Sequence, residues 1–203
     1  MNKSFNGWAN VDKINLENVI DLVLTNGKIE TIKSDDWVLT YVGGENYDLS
    51  ILDFGCGIGR NIFDFAQKMP NWNFIGYDNQ NMLNKAKEYL SVKYDKNLDK
   101  FSNLSLIDSW DLVKTKKFDC IYATLVFQHI HENDLNVYLK DIKNMTSKLI
   151  VSGRRFNDDM IDGEYKNTWE ILEKNGYYPS NAEKINYNKD GDPHDHITCI
   201  YEF

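Results

Sequence analysis

Ile51–Asn61 reads ILDFGCGIGRN, and the fold turns on how this stretch is read. A short apolar run ends at Phe54, glycines follow at alternate positions (Gly55, Gly57 and Gly59), and a second apolar pattern starts at once. Glycine adopts backbone angles closed to other residues and lets a ligand approach the chain closely. A strand entering such a loop and a helix leaving it place unpaired N–H groups at the helix start. The spacing separates the candidate ligands. A dinucleotide loop has the form G-x-G-x-x-G, and counted from Gly55 its third glycine falls on Arg60. A phosphate loop ends in Gly-Lys-Ser/Thr, and no such ending is present. The pattern here is D-x-G-x-G-x-G, beginning at Asp53.

Beyond the loop the chain alternates. Strand-like apolar runs are SILDF (50–54), NFIGYD (73–78), LSLID (104–108), FDCIYA (118–123) and KLIVSG (148–153). Helix-like segments separate them at 60–69, 81–92 and 133–145, and another, EYKNTWEILEKNG (164–176), follows the fifth run. Such alternation implies crossover connections and a mainly parallel sheet with helices on both faces. Near-continuous apolar runs suit strands covered on both sides. The tail breaks the rhythm: YYPSNAEKINYN and HDHITCIYEF have no helix between them, which predicts an antiparallel hairpin at one edge. Apolar positions from Val11 to Leu24 predict a helix ending near Asn26-Gly27. The chain reads as one core, 48–203, with an N-terminal helical extension, 1–47.

The 203 residues suffice for one sizeable core. No apolar run approaches the ~20 residues of a membrane span, and the N-terminus lacks a secretory pattern, so a cytoplasmic protein is expected. Cys56, Cys120 and Cys199 are widely spaced in apolar surroundings and read as buried thiols. A net charge of -8 disfavours broad binding to nucleic acid or an anionic membrane.

With these residues assembled, the chain resembles the class I S-adenosylmethionine-dependent methyltransferases. The resemblance rests on LDFGCGIGRN and on the element order from about residue 48 onward. It implies a Rossmann-like three-layer α/β sandwich with a seven-stranded, mainly parallel sheet and a C-terminal antiparallel edge hairpin. It also implies S-adenosylmethionine as cofactor and S-adenosylhomocysteine as product. Gly55, Gly57 and Gly59 would line the cofactor, and Asp53 would anchor the loop or the cofactor amino group. Asp78, with Asn79 beside it, would accept from the ribose hydroxyls, a fitting task for an acceptor-only carboxylate. Asp108 and the N–H of Ser109 would meet the adenine, with a helix N-cap the alternative use of Asp108. The backbone at Ala123 and Thr124 would hold the methionine end.

Acceptor-side candidates sit at the carboxyl ends of strands, where ligands bind in open α/β sheets. His129 is the candidate base, with positioning or packing as the alternative. His131 reads as a solvated helix-start residue. Arg154 and Arg155 are candidates to clamp an acceptor carboxylate or phosphate. His194, Asp195 and His196 share a turn; with no third histidine nearby, they read as substrate-facing, with His194 and His196 as binding candidates, and not as a metal site. Trp8, Trp37 and Tyr41 are candidates for a lid or for packing the extension.

After the fourth strand stands ATLVF, without the Asn/Asp-Pro-Pro-aromatic motif of amino methylation on adenine, cytosine or glutamine. No Pro-Cys nucleophile for cytosine ring-carbon methylation is present. A small-molecule acceptor with an oxygen or nitrogen nucleophile is favoured. A protein side-chain methyltransferase, a non-catalytic protein of the same fold and a nicotinamide-dependent oxidoreductase are the alternatives.

Overall fold

The computed structural model describes residues 13–23, 42, 48–95, 98–154, 160–161, 164–165, 167–185 and 196–203. Helix α1 (Leu16–Val23) precedes β1 (Ser50–Phe54), α2 (Arg60–Lys68), β2 (Asn73–Tyr77), α3 (Gln80–Tyr94), β3 (Leu104–Ile107), α4 (Trp110–Val113) and β4 (Cys120–Thr124). A 3-10 turn (Phe127–His129), α5 (Glu132–Met145) and β5 (Lys148–Arg154) follow. Two short strands, β6 (Met160–Ile161) and β7 (Glu164–Tyr165), lead to α6 (Thr168–Lys174), β8 (Asn181–Ile185) and β9 (His196–Glu202).

The main sheet has the order β3-β2-β1-β4-β5-β9-β8. Strands β1 to β5 pair in parallel, while β9 runs antiparallel to both β5 and β8. The mainly parallel sheet with an antiparallel C-terminal edge is therefore as the sequence implied. The turn between β8 and β9 lies outside the described residues.

Alternation along the strands builds two cores. Ile51, Tyr122 and Ile150 face one side, against Ile62, Phe63 and Phe65 of α2, Leu83 and Tyr89 of α3 and Val19 of α1. Leu52, Ile121, Leu149 and Val151 face the other, against Leu135, Leu139 and Ile142 of α5 and Ile171 of α6. Burial of each such side chain is worth about 1.5–3 kcal/mol against leaving it exposed, which holds both helical layers on the sheet. All three cysteines are free and buried, as expected. Among the described residues no helix is long and apolar enough to cross a membrane.

Two helix boundaries differ from the sequence reading. The helix expected from residue 164 begins at Thr168, because the Asn167 carboxamide oxygen accepts from the N–H groups of Trp169 (3.1 Å) and Glu170 (3.4 Å). An asparagine that caps first-turn donors confines the helix to the residues after it, and Glu164–Tyr165 instead pairs with Met160–Ile161. Near the N-terminus, Asn15 Oδ1 accepts from Asn18 N at 2.8 Å, and α1 starts immediately after it.

Successive strands step from β1 to β2 and β3 in one direction, and from β4 to β5 in the other. That reversal opens a crevice between the carboxyl ends of β1 and β4, the usual ligand position in open α/β sheets.

Candidate active site

The glycine loop fills one wall of this crevice. Gly55, Gly57 and Gly59 all have left-handed backbones, with φ of 73°, 59° and 79°. Their surroundings differ. A Cβ at Gly55 would lie 2.4 Å from Val126 Cγ1, and one at Gly59 would lie 2.4 Å from the Phe63 ring. A Cβ at Gly57 would meet nothing within 4 Å. Gly55 therefore lets the loop after β4 close onto the loop after β1, Gly59 lets α2 pack its own phenylalanine, and Gly57 borders open space. The loop is also tied to β2: the N–H groups of Gly55 (2.8 Å) and Cys56 (3.0 Å) donate to Tyr77 O.

Asp78, one residue past β2, meets the loop from the neighbouring strand. Its Oδ2 accepts from Gly57 N at 2.8 Å. Its Oδ1 accepts from Asn79 N (2.8 Å) and Asn79 Nδ2 (2.9 Å). A carboxylate offers about four acceptor positions, so these three donors leave one for a ligand hydroxyl. The side chain is partly accessible at its rim but crowded by protein atoms. That desolvation outweighs the donors and pushes its pKa up to about 6. Asn79 is a positioning residue here. Its amide and N–H hold Asp78, and its Oδ1 caps α3 by accepting from Met82 N at 3.0 Å.

Asp53 is buried in β1, paired across the sheet with Gly76 and Tyr122. Burial pushes the Cys56 thiol pKa up, and the charges of Asp53 and Asp78 push it further. The Cys56 thiol thus lies within the field of two acidic side chains, one from β1 and one from the end of β2.

Asp108 is exposed beyond β3. It is not the cap of α4. Ser109 holds that place, and its carbonyl, not its hydroxyl, closes the first turn by accepting from Leu112 N and Val113 N. Behind these two residues stands an aromatic cluster that the sequence reading did not pick out. Trp110 lies 5.1 Å from Tyr77 and 5.0 Å from Tyr138, ring centroid to centroid. Trp110 Nε1 donates to Asp141 Oδ2 at 2.7 Å, fixing α4 to α5, and the Tyr77 and Tyr138 hydroxyls are 3.2 Å apart. The signal was the single Trp in SWDLVK, whose partners lie on β2 and α5.

Ala123 is buried inside β4, and Thr124 ends that strand. Leu125 then takes a left-handed φ of 58°, rare for a side chain of its size. Its N–H donates to Ser152 O at 2.7 Å, and the reversal brings Val126 onto Gly55. His129 closes the following 3-10 turn, with Nε2 3.2 Å from Gln128 Nε2. An amide nitrogen only donates, so with this amide orientation His129 Nε2 accepts and the neutral ring carries its proton on Nδ1. His131 caps α5, accepting at Nδ1 from Asn133 N at 3.3 Å, in keeping with the helix-start reading.

Register places Arg154 of β5 directly opposite His196 of β9. Two residues down the same pair of strands, Thr198 Oγ1 donates to Ser152 Oγ at 3.1 Å, both buried. Arg155, His194 and Asp195 lie outside the described residues, as do Trp8, Trp37 and Tyr41. Among the described residues no cluster of histidine, cysteine and acidic side chains is arranged to hold a metal ion.

Residues 52–148 match the family model described as a methyltransferase domain. No curated protein sequence matches the chain. Among solved structures, it is similar to magnesium protoporphyrin IX methyltransferase (ChlM) from Synechocystis PCC 6803 with bound S-adenosylhomocysteine. Identity is 12%, covering 98% of this chain and 99% of that one, with a TM-score of 0.67. It is also similar to a SAM-dependent methyltransferase from Aquifex aeolicus (16% identity, 93% and 98% covered, TM-score 0.60). The mitomycin 7-O-methyltransferase MmcR is a third (13% identity, 99% and 61% covered, TM-score 0.63). The matched segment, the strand order and the glycine loop at the crevice together identify residues 52–148 as a methyltransferase domain of the class I S-adenosylmethionine-dependent type.

Proposed function

We propose that this methyltransferase acts on an oxygen or nitrogen nucleophile of a small molecule. The observation that carries the cofactor half of this reading is the pairing of Asp78 with Gly57 beside open space. S-Adenosylmethionine would supply a methyl group activated on a sulfonium: an acceptor lone pair would bond to the methyl carbon in line with the C–S bond, whose electron pair stays with the sulfur of the departing S-adenosylhomocysteine. The chain's own residues bind, orient and exclude water, and orientation alone can lower such a barrier substantially. Asp78 accepts from the ribose, Asn79 holds Asp78, and the Gly55–Gly59 loop borders the amino-acid end above Asp53. Asp108 and the Ser109 N–H meet the adenine, and the backbone at Ala123 lies beside the methionine end. His129 is the candidate base for an acceptor that must lose a proton. For that role its Nε2 has to exchange Gln128 for the acceptor.

A small acceptor is supported by the net charge of -8 and by ATLVF in place of a proline-bearing amino-methylation motif. The similar structures named for their acceptors, a magnesium porphyrin and mitomycin, point the same way. The Arg154–His196 strand pair supports an acceptor with a carboxylate or phosphate, read by Arg154, Arg155, His194 and His196. The test is methyl transfer from labelled S-adenosylmethionine into fractionated cell extract. Label in small molecules that is lost with Asp78→Ala supports the reading; label only in protein overturns the small-molecule assignment.

A further inference from the structure

The turn after β3 that carries Asp108 and Ser109 runs straight into α4, which is four residues long and has no side-chain cap. So short a helix takes its orientation from what it packs against, not from its own hydrogen bonds. Two of its residues supply that packing. Val113 is buried. Trp110, next to Ser109, has its ring centroid 5.4 Å from Phe54, 5.1 Å from Tyr77 and 5.0 Å from Tyr138. Apolar packing has little directional preference, whereas the bond from Trp110 Nε1 to Asp141 Oδ2 at 2.7 Å fixes one point of the indole. A carboxylate acceptor makes the stronger kind of hydrogen bond. Asp141 stands on a firm base, because Leu139 and Ile142 of the same helix are buried against the sheet. Tyr77 directly precedes Asp78. Its hydroxyl pKa is pushed up by burial first, then by Tyr138 and by the charges of Asp78 and Asp108. The ring that Trp110 packs against therefore lies in the field of both crevice acids.

We infer that Asp141 is a positioning residue for base recognition: through Trp110 Nε1 it sets the Asp108–Ser109 turn so that the carboxylate and the N–H face the amino group and ring nitrogen of adenine. This inference rests on the adenine role given to Asp108 and Ser109 above. The carboxylate accepts and the N–H donates, so adenine, with an amino donor beside a ring-nitrogen acceptor, matches the pair. Hypoxanthine presents the opposite edge, a carbonyl acceptor beside a ring N–H donor. A turn held still distinguishes the two bases. A turn that shifts leaves room for water to mend the mismatch.

The test is calorimetric titration with S-adenosylhomocysteine and with S-inosylhomocysteine, which differ only at this base edge. The intact protein is expected to favour the adenine form by about tenfold or more, since each unpaired polar group carries a cost. Asp141→Leu leaves the indole N–H without its acceptor and is expected to shrink that preference by about threefold or more. Trp110→Phe keeps a ring but lacks the N–H, and should match Asp141→Leu. Asp141→Asn keeps an acceptor oxygen and should hold the preference within about twofold of the intact protein. A purely structural role would lower the melting temperature of Asp141→Leu and leave the preference unchanged, and that result overturns the inference. A preference lost as fully in Asp141→Asn as in Asp141→Leu overturns it too. Equal binding of both ligands by the intact protein overturns the adenine role of Asp108 and Ser109 together with the inference, and leaves the cofactor reading standing. Binding of neither ligand by the intact protein overturns all three. Should Asp141→Leu melt as an unfolded chain, Trp110→Phe carries the same comparison.

Discussion

Gly57 N donates to Asp78 Oδ2 at 2.8 Å, joining the glycine loop after β1 to the end of β2 across 21 residues of sequence. The same carboxylate is held by Asn79. Its ionisation therefore governs both the loop and the place offered to a ribose hydroxyl.

Cofactor affinity and protein stability are expected to respond to pH with opposite sign. Burial raises the Asp78 pKa to about 6, and a ribose hydroxyl would donate to the ionised form. S-Adenosylhomocysteine affinity should be constant above pH 7 and about tenfold weaker at pH 5. In the ligand-free protein a raised carboxyl pKa means protonation favours the fold. The Asp78 contribution is fully present below about pH 4 and is lost as pH rises through about 6. Calorimetry and thermal melts from pH 5 to 8 check both, and Asp78→Asn should flatten the two curves.

Gly55 and Gly57 should fail differently. In Gly55→Ala the new methyl meets Val126, and overpacking of this kind costs about 1–3 kcal/mol on top of the left-handed backbone. In Gly57→Ala the backbone term alone applies, about 1–2 kcal/mol, but the methyl enters open space at the site. Urea melts should therefore rank Gly55→Ala as less stable, while titration ranks Gly57→Ala as the weaker binder. The reverse binding order would put the ligand on the other side of the loop.

Leu125 holds a φ of 58°. Alanine ordinarily outranks glycine in stability within regular elements by about 0.5–1 kcal/mol. At this position Leu125→Gly should be more stable than Leu125→Ala, by about 1 kcal/mol, because only glycine takes the left-handed backbone without strain. Equal denaturation midpoints for the two variants would show that the turn relaxes freely.

Once an acceptor is in hand, His129→Ala should lower kcat by about 100-fold or more if His129 is the base, with S-adenosylhomocysteine affinity unchanged. A kcat within a factor of two assigns the rate to orientation alone.

Much of the architecture was legible because doubly covered strands demand continuous apolar runs, as in Cys120–Ala123 and Leu149–Val151. Asp78 was singled out only through the family resemblance, and its bond to Gly57 N came from the folded chain. Asn79 was harder. A side-chain amide can cap, donate or bind ligand, and its choice of Asp78 and Met82 as partners follows from a rotamer. The start of α6 was misplaced because Glu164–Tyr165 fits a helical period, and only the pairing with Met160–Ile161 and the Asn167 cap settle the competition.

By itself the amino-acid order determined the alternation of strand and helix and the D-x-G-x-G-x-G loop. These are properties of short segments whose backbone preferences and apolar periods are local. Tertiary structure alone decided that Gly55 packs on Val126 while Gly57 borders open space. It also brought Asp141 of α5 to the indole N–H of Trp110. Such outcomes depend on which distant side chain arrives at each position, as when the pairing of β4 beside β1 brings Val126 onto Gly55.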